Sequence, residues 1–338
     1  MQARPWLAFH IFYASDASPI ITDCVEPFVE RMRAAGCLQQ WFFIRYWLEG
    51  PHLRVRLLPA PDADRDVLRK DFLQEIENFF KRRPALYDAD TGATRDHYRK
   101  MFLVEYGQDE WDRQYGPDGE MPMRENNTVA EFPYEPEYSR YGGDVGIPLA
   151  EWHFEKSSEM VSHLLRTTNT HVRPLLLGLG MQLALTMAYV FFETDEAVGR
   201  FFFNYRHFWE TSFDEPSDDY HENFDKSFVL CELALKDRME LIRSQLHGTL
   251  ERFGSTERRW YQHCLDLRDR VRAVVDQLDF GTRRLPEEPD ARWEGVAITL
   301  LSSYIHMTNN RLGVAILDEI YLSYLIERAL GVEMVGVA

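Results

Sequence analysis

The sequence predicts an α+β protein, with an antiparallel or mixed sheet in the N-terminal part packed against a largely helical C-terminal part. Three observations carry that expectation. The stretch Trp41–Leu58, WFFIRYWLEGPHLRVRLL, reads as two strands joined by the turn Glu49-Gly50-Pro51. In its second strand Leu53, Val55 and Leu57 alternate with His52, Arg54 and Arg56, the period of two of a half-buried strand. The front of the chain runs in the order β-α-β-β-α, which suits an α+β sandwich better than a parallel doubly wound sheet, and the second half is helical nearly throughout.

The elements follow in order. Trp6–Tyr13 (WLAFHIFY) reads as the first strand, with His10 in the core or on the sheet face. Ser18-Pro19 and Thr22-Asp23 offer capping chemistry for a helix to about Ala35 that Gly36 stops, with Pro27 expected near its first turn. After the paired strands, a charged helix from about Ala63 to Arg82 turns Val67, Leu68, Phe72, Ile76, Phe79 and Phe80 inward. Residues 83–136 show little periodicity beyond a short helix around His97–Glu105. Rich in Gly, Pro and Asn, they read as a long surface excursion of the functional or mobile kind. In YSRYGG (Tyr138–Gly143) two adjacent glycines mark backbone that side chains would block.

Helices are then expected at about Glu155–Arg166, Pro174–Glu193, Glu196–Glu210, Glu222–Leu250, Thr256–Leu278, Trp293–Arg311 and Leu312–Leu330. Gly281, Pro286 and Pro289 mark the one evident linker. A single domain spanning 1–338 is the expected organisation, because the front sheet needs a cover.

Composition narrows the class. A formal charge of −17 argues against non-specific nucleic-acid binding by the whole surface, and leaves room for a local basic pocket. Cys24, Cys37, Cys231 and Cys264 are scattered without CxxC pairs, and the histidines show no ligand spacing, so neither a disulfide framework nor a metal site is expected. That pattern fits a cytoplasmic protein. Met1–Pro5 leads directly into a strand-like run, which is not the pattern of a signal peptide. Leu175–Phe192 borders on membrane-spanning length, but Gln182 and Thr186 interrupt it and a buried core helix is expected.

The apolar side of the Trp41–Leu58 pair must be covered, so its other side displays guanidiniums close together. Residues two apart on a strand are only about 6–7 Å apart, so internal carboxylates or an anionic substrate must answer that charge.

Three landmarks in order, FFIRYWLEGPHLRVRL (Phe42–Leu57), PEYSRYGG (Pro136–Gly143) and HMTNNRLG (His306–Gly313), give the chain a family resemblance. It resembles the C-terminal, elimination-type domain of class I lantibiotic dehydratases, which also occurs alone as the thiopeptide-type bacteriocin biosynthesis protein. The resemblance covers almost the whole chain. It implies a standalone lyase of lanthipeptide or thiopeptide antibiotic biosynthesis, removing glutamate from glutamylated Ser or Thr of a ribosomal precursor peptide to leave dehydroalanine or dehydrobutyrine. The implied partners are that peptide, leader and core, and a separate glutamylation-domain protein using glutamyl-tRNA. No cofactor, metal or membrane is implied, and a homodimer is a further expectation.

Elimination needs a base for the α-proton, stabilisation of the developing oxyanion, and a hold on the departing carboxylate. Positioned general bases typically contribute about 10²–10⁴-fold, which favours a histidine near neutral pH. His306 is the candidate acid or base, with Asn309 and Asn310 at i+3 and i+4 near its face. Arg54, Arg56 and Arg140 match the arginines of the family motifs and are the candidates for the glutamate and oxyanion site, since guanidinium forks suit carboxylates. Arg45, His52, Tyr141, Asn309 and Arg311 are expected to contact substrate. Three of them have a structural alternative: an ion pair for Arg45, a turn hydrogen bond for His52 and helix capping for Arg311.

Two other readings stay open. One is the family's pyridine-synthase branch, which joins two dehydroalanines in a formal [4+2] cycloaddition. The other is a non-catalytic scaffold that binds a leader peptide. The excursion 83–136, which matches no family motif, leaves elimination and cycloaddition both available.

Overall fold

Period-two alternation builds an antiparallel sheet from β1 (Leu7–Phe12), β2 (Leu38–Tyr46), β3 (His52–Pro59) and β4 (Thr128–Glu131), in the order β2-β3-β1-β4. The protein is α+β, and every strand pair is antiparallel. The computed structural model describes residues 6–87, 91–212, 218–246 and 253–331. The chain divides into two compact units, residues 1–135 with 157–168, and residues 136–156 with 169–338.

In the first unit the register sets Leu7 against Leu57, Phe9 against Val55 and Ile11 against Leu53, with Trp41 and Phe43 opposite Leu57 and Val55. All eight side chains are buried. Helices α2 (Glu26–Ala34) and α3 (Arg65–Arg82) cover them, Phe72 lying 4.7 Å from Phe9 and 5.1 Å from Phe28. The opposite face carries Ala8, His10, Phe12, Phe42, Ile44, Tyr46, His52, Arg54 and Arg56.

The first helix departs from expectation in its start. It begins at α1 (Ser18–Ile20) with Pro19 in its first turn, then widens into a π turn, Ile21–Val25, before α2. Pro27 therefore follows the π turn instead of opening the helix, and its missing N–H falls where the ladder is already disturbed.

The excursion 83–136 is more ordered than its sequence suggests. It holds α4 (Gly92–Tyr106), α5 (Gln108–Tyr115) and β4, which pairs with β1. Phe102, Trp111 and Met121 form a small core of their own, with Trp47, Leu48, Tyr98, Leu103 and Tyr115 packed around it. Asn126 and Asn127, which looked like loop residues, pin this segment: their Oδ1 atoms accept from Ala14 N (2.9 Å) and Ala85 N (2.7 Å).

The second unit is helical. It holds α6 (Tyr138–Tyr141), the first part of α7 (Gly143–Thr167), α8 (Arg173–Phe192), α9 (Asp195–Ser212), α10 (Asp218–Leu246), α11 (Ser255–Ala273), α12 (Pro289–Leu312) and α13 (Ile316–Leu330). Helix α7 starts at Gly143, about three turns before the expected Glu155, and runs through Pro148. Pro289, expected in a linker, is instead in the first turn of α12, where Glu288 caps the N–H groups of Asp290 and Ala291. The last four residues of the helix expected at Glu222–Leu250 lie outside the described residues.

Helix α8 is the one described helix long and apolar enough to cross a membrane, and just over half of its apolar window is buried within the protein. Gly180 explains part of that packing. A Cβ there would stand 3.1 Å from Val314 Cγ2 and 3.2 Å from Asn309 Oδ1, whereas one at Gly178 would meet nothing.

Candidate active site

The candidate residues fall into two clusters, one in each unit. In the second unit, α12 presents Ser303 and His306 one turn apart on neighbouring positions of its surface. Arg140, in the last turn of α6, donates from Nε to Ser303 Oγ (3.0 Å). It also pairs with Glu137 at 3.5 Å. His306 Nδ1 lies 3.1 Å from Glu319 Oε1 and 3.3 Å from Oε2. Glu319, in the first turn of α13, is 1 % exposed, and its Oε2 accepts the hydroxyl of Tyr205 from α9. Burial and the adjacent Glu319 push the Tyr205 phenol well above its usual range, so it remains a donor. Trp209, one turn on, packs its ring 4.8 Å from the imidazole.

Chemically, this arrangement can serve as an oriented acid/base. A carboxylate on Nδ1 fixes the tautomer and leaves Nε2 as the working nitrogen. Arg140, on the same side of α12, supplies fixed positive charge nearby.

The paired glycines place Arg140. Gly142 (φ +87°) and Gly143 (φ +73°) both lie in the left-handed region. Gly142 O accepts from Asp279 N at 3.2 Å, and a Cβ on Gly142 would stand 2.9 Å from Leu278 Cδ2. Gly142→Ala is expected to destabilise the fold by about 1–3 kcal/mol, from left-handed strain and the displaced Leu278. A lower urea midpoint at unchanged m checks it.

Three predicted substrate contacts have other surroundings. Tyr141 is buried against Phe154 (5.0 Å) and Tyr304 (5.9 Å), and burial pushes its hydroxyl up to about 12. Arg311 is fully buried, donates to Met307 O (2.8 Å) one turn back on its own helix, and lies 4.9 Å over the Phe154 ring. Asn309 is buried, with its Oδ1 beside Gly180 of α8.

In the first unit, the polar sheet face forms the other cluster. Arg54 Nε donates to His52 Nε2 (3.1 Å), while His52 Nδ1 donates to Gly50 O (2.8 Å). Arg54 also lies 3.5 Å over the Tyr46 ring. Arg56 Nη2 is 3.4 Å from His10 Nε2, and its guanidinium faces Tyr134 at 5.6 Å. His10 stacks on Phe132 (4.0 Å) and His52 (4.8 Å). Burial, then the flanking arginines, hold His10 down to about 2. Burial likewise lowers His52 to about 3, so both imidazoles accept from guanidiniums as neutral rings. Arg56 is 7 % exposed and has no carboxylate partner among the described residues. Burial and Arg54 lower it to about 9. This face suits an anion.

Arg45 does not belong to it. Its register partner is Leu53, so it points to the other side of the sheet, where Ser18 Oγ (3.0 Å) and Asp16 (3.7 Å) receive it.

The sequence reading missed Glu319, Tyr205, Ser303 and His10 as members of these clusters. Glu319 looked like an ordinary acidic residue near a helix start, and Tyr205 sat in an aromatic run assigned mostly to core. Among the described residues no three His, Cys, Asp or Glu side chains converge as metal ligands would.

The fold joins a small antiparallel sheet bearing arginines to a chain portion that is helical and bears a carboxylate-held histidine. The chain belongs to the lantibiotic biosynthesis dehydratase C-terminal family, whose profile matches residues 6–330. Among solved structures it is similar to the pyridine synthase TbtD from thiomuracin biosynthesis, at 20 % identity and TM-score 0.73, covering 96 % of this chain and 97 % of that one. TsrL is similar at 17 % identity and TM-score 0.64, over 96 % and 93 %. The tRNA-dependent lantibiotic dehydratase MibB from Microbispora sp. 107891 matches at 19 % identity and TM-score 0.50, over 98 % of this chain and 28 % of that one. No curated protein sequence matches.

Proposed function

We propose that this protein is a lyase that eliminates glutamate from glutamylated Ser or Thr in a ribosomal precursor peptide. The observation that carries the reading is His306, held by buried Glu319 and set one turn from the serine that receives Arg140. His306 Nε2 removes the α-proton, the Cα–Cβ double bond forms, the Cβ–O bond breaks, and the ester carboxylate departs with its electron pair. Arg140 stabilises the oxyanion that develops on the adjacent carbonyl. Arg54 and Arg56 give the sheet face an affinity for carboxylates. The glutamylated substrate comes from a separate glutamylating protein, and the reaction takes place in the cytoplasm.

A second reading has its own support. The likeness to a pyridine synthase spans nearly the full length of both chains, as expected of an enzyme of the same build. On that reading His306 serves a cycloaddition between two dehydroalanines. Two peptides separate the readings. One bears glutamylated serine and the other two dehydroalanines, and each is incubated with the protein and followed by mass spectrometry. Glutamate release from the first supports elimination. Conversion of the second alone replaces elimination with cyclisation.

A further inference from the structure

Helix α10 carries an apolar stripe on the side away from its own core. Phe228, Leu235, Met239 and Ile242 are buried, whereas Val229 is 74 % exposed, Leu230 89 % and Leu233 76 %. Ala234, Lys226 and Asp237 are exposed beside them. Lys226, Leu230, Leu233 and Asp237 follow the spacing i, i+4, i+7, i+11, which is one straight line along a helix surface. The line is charged positively at one end, apolar in the middle and charged negatively at the other.

That order is self-complementary. If two copies of α10 lie antiparallel about a two-fold axis between Leu230 and Leu233, each Leu230 meets the other copy's Leu233. Each Lys226 then meets the other copy's Asp237. The axis passes midway between residues 231 and 232, almost at the midpoint of the 29-residue helix, so the two helices overlap along their full length. At about 1.5 Å per residue that overlap is roughly 40 Å long. Lys226 also reaches Glu222 on its own helix at 2.9 Å, an exposed pair that a stronger partner can replace.

We propose that α10 is the contact face of a symmetric homodimer, with a second copy of this chain as its occupant. Isologous contacts need a surface that matches itself under a two-fold rotation, and here charge and apolarity both do so. Like-charged chains of −17 repel at long range, so two reciprocal Lys–Asp pairs fix the register where the copies touch.

The test is sedimentation of the full chain across the micromolar range. The wild type is expected to dimerise with rising concentration, and Leu230→Glu with Leu233→Glu to stay monomeric with an unchanged far-UV spectrum and melting temperature. Lys226→Glu alone and Asp237→Lys alone should each weaken association at least tenfold, and the two together should restore it. A wild type that stays monomeric assigns the face to a different partner and overturns the proposal. So does a dimer that survives the leucine substitutions, or a charge exchange that fails to rescue.

Discussion

His306→Ala is expected to lower glutamate elimination by about 10²–10⁴-fold, the usual contribution of a positioned general base. The side chain is partly accessible on one edge, and its loss removes the Trp209 contact and one partner of buried Glu319, so the melting temperature should fall modestly while the fold is retained. Glu319→Gln is the sharper variant. It retains the volume and an acceptor for Tyr205, but an amide no longer fixes the imidazole tautomer as a carboxylate does. With the imidazole no longer held by a carboxylate, kcat is expected to fall with KM nearly unchanged. Tyr205→Phe should produce a smaller drop, since Glu319 keeps its contact with His306. A Glu319→Gln protein with wild-type kcat would show that the carboxylate is only a structural partner.

The second large effect is loss of stability in acid. Four buried histidines are held neutral: His10 at about 2, His52 and His263 at about 3, and His153 well below its ordinary 6.5. Burial is the leading cause in each. His153 and His263 share one hydrogen bond at 2.9 Å, so at most one proton lies between them. In the unfolded chain these side chains titrate near 6.5, while in the folded protein His10, His52 and His263 do not take up protons until about 3 or lower, and burial holds His153 well below its ordinary value. Their stabilising contribution is therefore complete above pH 6.5 and is lost progressively as the pH falls from there toward 3.

Each such group costs up to about 1.4 kcal/mol per pH unit, so four together amount to about 6 kcal/mol per pH unit, half of it in each of the two compact units. Total stability of a domain is about 5–15 kcal/mol, so unfolding is expected near pH 5. Two of the histidines belong to each unit, so both should respond. Circular dichroism and tryptophan fluorescence against pH measure this directly, and stability that stays flat down to pH 4 would contradict it.

How much of this was legible depended on whether the determinant was local. The alternation of Leu53, Val55 and Leu57 with His52, Arg54 and Arg56 fixes the two faces of β3, and the register bears that alternation out. The two glycines after Arg140 signalled a left-handed turn, and both adopt it. Residues 83–136 were less readable because their strand is only four residues long and their small core is shared between two short helices and residues from outside the segment, Trp47 and Leu48.

The candidate site divides along the same line. His306, Arg140 and the β3 arginines lie in motifs, so they could be named in advance. Glu319 and Tyr205 reach His306 only because α9, α12 and α13 pack together, a fact no local pattern states. Arg45 illustrates the converse. It lies in the right strand, yet a shift of one residue in a period-two element puts it on the wrong face.

The most direct test of the central claim uses a peptide whose glutamylated serine carries deuterium at its α-carbon. Elimination predicts release of glutamate together with loss of the deuterium to solvent, giving an unlabelled dehydroalanine peptide, with His306→Ala blocking both. Release of glutamate with the deuterium retained would mean ester hydrolysis back to serine and would contradict the account.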